Sequence, residues 1–269
     1  MSGRNGRFLA ATGWAVVVFL YVPVVVLAVY SFNAGTRAAH WDGFSTAWYE
    51  RLLTAGDRDA RAAKAPLLLS LRLAAATAGI AVVLSAATAI GLRRAGKALS
   101  AVLLGLWSLP IVLPDVVLGV SLAGAFHVLG LEPGFLSLLL AHTTIAASFA
   151  LVVVRSRLAT LDPTLLEAAR DLGASRARAT WHVVVPHLAP ALVAAALLAF
   201  TISFDDFMVT FFLHKPIEPT LPVWVAGKVT KSPTTLLNAL ATLSLAATFL
   251  LAFLALRSVR AGTPQRGDA

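Results

Sequence analysis

The chain contains no cysteine, which excludes disulfides, thiolate metal sites and a cysteine nucleophile. Charge is also scarce. Asp, Glu, Lys and Arg make up 13% of the 269 residues, about half the share in a soluble domain. Neither HExxH nor GxSxG occurs, and His182 and His187 lack a glutamate at zinc-helix spacing, so they read as interfacial loop residues. A membrane-embedded enzyme would need a nucleophile–base pair, and none stands out. Gly91-Leu92-Arg93-Arg94-Ala95-Gly96-Lys97 matches most of a phosphate-binding loop. The next residue is Ala98, where a Ser or Thr must ligate magnesium, and no strand precedes the run. It reads instead as a basic turn at the inner end of an apolar helix.

Apolar residues are what the sequence has in excess, at 58%. They form runs near the roughly 20 residues that a helix needs to cross a bilayer core. Six spans can be drawn, at about Gly13–Tyr30, Leu67–Leu92, Leu99–Leu131, Phe135–Leu158, Leu188–Leu213 and Leu236–Leu256. The runs are continuous rather than alternating, which predicts helices. One membrane domain then occupies nearly the whole of residues 1–269. The first run follows Arg4 and Arg7 as a signal peptide would, but its length and the lack of a small-x-small cleavage site favour an uncleaved helix. The third is too long for one straight crossing and contains Pro110 and Pro114, so a kink is expected there. That kink serves either a pathway or simple packing.

The net charge of +9 sits mostly in short loops, where it sets orientation and meets anionic headgroups, rather than marking nucleic-acid binding. With both termini cytoplasmic, Arg93, Arg94, Lys97, Arg155, Arg157 and Arg266 fall inside. The outer loops hold fewer basic residues and carry Asp42, Glu50 and Asp57. The bias favours that orientation.

The inner loop Thr160–His187 is longer than a connection requires. Asp162 and Pro163 suit the start of a short helix, and Gly173 suits its end. A second amphipathic stretch with Arg176, Arg178 and Trp181 is expected to stop at Pro186. The residues admit two readings of this elbow: helices resting on the membrane surface, or a docking surface for a partner.

Ionisable residues inside apolar spans are costly and mark functional sites by default. Asp205 and Asp206 lie in FTISFDDFMVTFF, and Asp115 follows Pro114. Counting from Leu188 puts the pair roughly 26 Å along the span. With Phe204, Phe207, Phe211 and Phe212 nearby, they would suit an organic cation. The structural alternative is that these carboxylates bond backbone at a helix break or pair with Arg72.

Glu167-Ala168-Ala169, Gly173 and the run Val183-Val184-Val185-Pro186 resemble the EAA motif of ABC importer permeases, with Val in place of Ile and Leu before the proline. The stretch SFDDFMVTFFLHKP, then Thr220-Leu221-Pro222 and Asn238-Ala239-Leu240-Ala241-Thr242, is similar to the second permease of spermidine/putrescine-type importers. Pro114-Asp115-Val116-Val117 is similar to that subfamily's third span. The resemblance implies an all-α integral membrane protein of six transmembrane helices with the type I ABC importer permease (MetI-like) fold, in the bacterial cytoplasmic membrane. It implies a polyamine-importing heterodimer with a sister permease, two ATPase subunits docked on the Thr160–His187 loop through Glu167, Ala168, Ala169, Gly173 and Pro186, and an extracytoplasmic binding protein. No cofactor is expected in this chain, and ATP and magnesium belong to the partner ATPase. Asp205, Asp206, Asp115 and Phe204 would line the pathway. Phe32–Pro66 and His214–Pro233 would meet the binding protein, with Trp224 either packing at a gate or lying as an aromatic at the membrane surface. The subfamily also takes other small substrates such as aminoethylphosphonate. An ion-coupled secondary transporter is the rival class; it would need no elbow and would show inverted repeats.

Overall fold

The computed structural model describes residues 2–37, 40–54, 56, 58–231 and 234–261. Asp57, Pro233 and Arg266, which entered the loop and charge readings, lie outside the described residues. The helices are α1 (Ser2–Tyr30), α2 (Ala47–Thr54), α3 (Arg58–Leu92), α4 (Lys97–Val112), α5 (Asp115–Val128) and α6 (Phe135–Leu158). They continue as α7 (Pro163–Asp171), α8 (Arg176–Ala179), α9 (Val185–Asp205), α10 (Met208–Leu213), α11 (Leu221–Val229) and α12 (Thr235–Ala261). Pairing outside helices is limited, among the described residues, to isolated bridges such as Asn33 with Phe44. That is what a bilayer demands, because a helix satisfies its backbone internally. Five helical stretches are long and apolar enough to cross a membrane, and α4 with α5 makes a sixth if that bent pair is one span.

Chain contacts define two compact units, Met1–Lys64 with Trp224–Ala247 and Ala65–Val223 with Thr248–Ala269. In the first, the most apolar window of α1 has no buried residue, and Trp14 and Phe19 are exposed. Such a face belongs against lipid or another protein chain. The segment after α1 is ordered around buried Asn33. Its Oδ1 accepts from Asp42 N–H at 2.7 Å, its amide donates to Arg37 and His40 carbonyls, and its own carbonyl accepts from Trp48 Nε1. Trp48, Ala60, Leu236 and Ala239 form the apolar cluster here, and Lys228 pairs with Asp59 at 2.6 Å.

In the second unit α6 is the buried axis. Two thirds of its apolar window, 67%, is buried, against 33% for α3. Ala78, Ala81, Ala146, Ala147 and Ala199 pack together. Small side chains let helix backbones approach, which is how membrane helices gain packing without a hydrophobic drive. Leu73, Leu118, Leu138, Val209 and Leu213 form a second cluster. At Gly119 a Cβ would stand 2.7 Å from Phe212 Cδ2, so α5 meets α10 where any larger residue must displace the Phe212 ring.

Three expectations are corrected. The third run is broken rather than merely kinked: α4 and α5 are separate helices bent by 111°, which form either one broken span or a re-entrant loop. Leu113 is extended, at ψ 139, as the residue before a proline tends to be, whereas Pro110 stays inside α4. The fifth run is not continuous to Leu213; it breaks at Asp206, which is extended at ψ 126. Pro186 does not stop the helix before it. A π-turn, Thr180–Val184, precedes the proline, and the helical path runs on from Arg176 to Asp205. The Val185 N–H reaches back to the Thr180 carbonyl, so the turn is widened just where the next residue has no N–H to give.

Candidate functional site

The break after α9 gives Asp206 a structural task. Where a helix restarts, its first N–H groups lack partners. The Asp206 carboxylate accepts from Thr210 N–H at 2.8 Å, from Thr210 Oγ1 at 2.7 Å and from Val209 N–H at 3.4 Å. It therefore caps α10. Asp205 accepts from Thr248 Oγ1 of α12 at 2.9 Å. Neither carboxylate pairs with Arg72; among the described residues the basic side chain beside Asp206 is His142, with Nε2 at 3.5 Å, an ion pair only when that ring is protonated.

Capping does not use up these carboxylates. Asp115, Asp205 and Asp206 line one cavity of about 560 Å³, with His142, Ser203, Phe149, Phe207 and Met208 also in its wall. Asp115 opens α5, where the helix N-terminus favours negative charge. The 111° bend and the break at Asp206 thus bring carboxylates from two distant segments to one cavity. Helix breaks at this depth persist only where protein or a water-filled cavity covers the freed backbone. Phe204 is not in that wall. It is buried and stacks on Phe200 at 5.8 Å, and Phe207 takes the aromatic position instead. Trp224 belongs to the other compact unit, half-buried, with Lys228 Nζ 5.6 Å from its ring.

Sequence reasoning missed His142. It is 3% exposed and bonds Ser203 Oγ at 2.8 Å through Nδ1 and Thr210 Oγ1 at 3.0 Å through Nε2. The rule that singled out the aspartates, an ionisable side chain inside an apolar run, points equally at this histidine.

The elbow is the second candidate. Asp162 accepts from Thr164 N–H at 2.9 Å, and this bond holds its carboxyl below its ordinary pKa. Pro163 fills the first helical position. At the other end Gly173 has φ +83 and bonds the Arg170 carbonyl, while Ala174 N–H bonds the Ala169 carbonyl. That pair is a complete Schellman cap. Glu167 and Ala168 are exposed, and Leu165, Leu172 and Trp181 present large apolar surface beside them. Arg93, Arg94, Arg170 and Arg176 line an adjoining groove of about 360 Å³ with no acidic side chain in its wall. The elbow is tied to α6. Arg157 Nε donates to the His187 carbonyl at 3.1 Å, and His187 Nε2 donates to the Arg157 carbonyl at 3.2 Å. Leu158, Leu161, Val184 and Leu188 bury the joint. His187 is therefore part of this clamp rather than a free loop residue.

Apolar spans, an acidic cavity at a helix break and an exposed amphipathic elbow fit one class of protein, a membrane permease. A family profile described as binding-protein-dependent transport system inner membrane component matches residues 81–262. The putrescine transport system permease protein PotI of Escherichia coli strain K12 is 36% identical over 264 residues, 93% of this chain and 92% of the relative. The spermidine/putrescine transport system permease protein PotC of Haemophilus influenzae is 37% identical over 239 residues, 88% of this chain and 91% of the relative. A permease chain from a bacterial ABC transporter that imports the acidic polysaccharide alginate shares the fold with a TM-score of 0.64 at 12% identity, covering 96% of both chains. An amino acid ABC transporter chain matches with a TM-score of 0.57 at 18% identity, covering 79% of this chain and 95% of that one. The chain belongs to the binding-protein-dependent transport system inner membrane component family and is the transmembrane permease subunit of an ABC importer.

Proposed function

We propose that this permease carries polyamines, putrescine or spermidine, into the cytoplasm by alternating access driven by a separate ATPase. The observation that carries the reading is the cavity lined by Asp115, Asp205 and Asp206 with no lysine or arginine in its wall. A primary or secondary amine is charged at neutral pH, and carboxylates take it through charge-assisted hydrogen bonds, with Phe149 and Phe207 in the same wall to pack against its methylenes. The relatives' transport of putrescine and spermidine agrees with it.

On this reading both termini are cytoplasmic, and the elbow Thr160–His187 docks on the ATPase. Its exposed Leu165, Leu172 and Trp181 form the apolar centre, with Glu167 and the arginine groove as charged partners. ATP and magnesium act on that partner. A sister permease completes the pathway and would cover α1, and an extracytoplasmic binding protein delivers substrate to the outer segments near Trp224. The test is uptake of labelled putrescine by proteoliposomes holding this chain with its sister permease and ATPase. Uptake should require ATP and the binding protein and should fall when Asp115 or Asp205 becomes Asn. Uptake without ATP, or undiminished uptake in both variants, defeats the reading.

A further inference from the structure

His142 sits in the wall of the acidic cavity, and its hydrogen-bond network fixes more than its position. Thr210 Oγ1 donates its only proton to Asp206 at 2.7 Å. At 3.0 Å from His142 Nε2 that same oxygen must therefore accept, so Nε2 carries a proton. Nδ1 lies 2.8 Å from Ser203 Oγ, and Ser203 Oγ lies 3.4 Å from Thr77 Oγ1. With a neutral imidazole, Ser203 donates to Nδ1. With an imidazolium, Nδ1–H donates to Ser203, whose own proton turns to Thr77. Every group is satisfied in both states, so the network admits a change of charge without breaking. Buried networks of this kind are costly when any member is left unpaired.

The carboxylates facing His142 favour the imidazolium, whereas its burial disfavours it. Asp206 approaches from the break between α9 and α10 at 3.5 Å. Asp205 from the end of α9 and Asp115 from α5 share the cavity wall, and α3 presents only the hydroxyl of Thr77. His142 is the one basic side chain of that wall.

We propose that His142, when protonated, is the counter-cation of this cavity, and that arrival of a cationic substrate at Asp206 exchanges for the proton on its Nδ1. That proton leaves through Ser203, which also lines the cavity, to cavity water. An ammonium group beside Asp206 then replaces the charge that His142 has given up. His142 is thus a positioning and selecting residue: when protonated it pairs with Asp206 in the empty cavity, and it makes protons compete with substrate. The proposal rests on the cationic-substrate reading above.

The experiment measures putrescine uptake by the complete transporter in proteoliposomes, with saturating loaded binding protein, from about pH 5.5 to 8. That interval brackets the ordinary histidine range, and the amine stays charged throughout. The parent's rate should fall with acidification, approaching on the order of tenfold per pH unit once His142 is mostly charged. His142→Gln keeps a donor and an acceptor but cannot charge. Whatever its absolute rate, its profile should lose that slope. The ratio of variant to parent at each pH cancels the binding protein's own pH response. A slope unchanged in His142→Gln overturns the proposal. If that variant fails to assemble, Thr77→Val decides, because it removes only the oxygen needed in the charged state. Its acid fall should move to lower pH, and an unmoved fall overturns the proposal. A parent that takes up no putrescine at any pH overturns the underlying reading instead, and this one with it.

Discussion

Gly173 stands at φ +83 with nothing within 4 Å of where a Cβ would be, so a side chain there is opposed by backbone strain alone. For an alanine the left-handed conformation costs about 1–2 kcal/mol, and for asparagine less, because its side chain bonds locally. That cost shifts the balance between the capped elbow and a frayed one by roughly 5–30-fold. The Schellman bonds from Gly173 and Ala174 to the Arg170 and Ala169 carbonyls would be lost with it, and the exposed Glu167 and Leu172 would no longer hold one orientation. Neither bears on the acidic cavity, whose wall contains no elbow residue. The assay is the ratio of putrescine imported to ATP hydrolysed in the reconstituted complex. Gly173→Ala should lower that ratio several-fold, Gly173→Val further, and Gly173→Asn least. Three variants with the parent's ratio would refute the claim that left-handed geometry at this residue holds the coupling surface. An equal loss in all three would refute backbone strain as the cause.

Asp206→Ala should destabilise the assembled complex in detergent by roughly 1–2 kcal/mol, seen as a lower thermal midpoint, because α10 loses its cap. Asp206→Asn should recover most of that stability and still transport poorly, separating the cap from the charge. Gly119→Val should cost about 1–3 kcal/mol by overpacking against Phe212, and Phe212→Ala in the same chain should restore part of it. Arg157→Ala should remove one bond to the His187 carbonyl, about 1 kcal/mol, and lower imported substrate per ATP while the ATPase still co-purifies.

What was legible in the sequence followed from patterns local to one stretch of chain. The cap residues Asp162, Pro163 and Gly173 each stand where the elbow's first helix begins and ends, because capping depends on near neighbours. The apolar runs locate the membrane helices for the same reason. The breaks were less legible. Pro110 and Pro114 carry the same local signal, yet only the second ends a helix, and Asp206 ends one with no proline present. That outcome depends on what receives the freed backbone, and for Asp206 the receiver is its own carboxylate folded onto α10. Phe204 and Phe207 looked equivalent in sequence. Three residues at a helix break suffice to send one into the core against Phe200 and the other to the cavity.

The continuity of the helical path from Arg176 to Asp205 joins the two candidate sites. It holds 30 residues, about 45 Å at 1.5 Å each, with the elbow at one end and the acidic cavity at the other. On the proposed reading, the ATPase pushes on the first end and substrate binds at the second. A stiff helix then needs no chain of intermediates: tilting it moves Asp205 and the break at Asp206 together with Ser203, the partner of His142. One soft place along the path is the π-turn Thr180–Val184, next to the Arg157–His187 clamp, and Pro190 inside α9 is another. Motion that bent the turn would be dissipated there, so the clamp and the buried Val184 and Leu188 serve to hold it rigid. This makes loss of Arg157 an uncoupling change even though Arg157 lies neither in the elbow nor in the cavity wall. By contrast, a loss in the cavity should lower transport and leave the elbow's geometry intact.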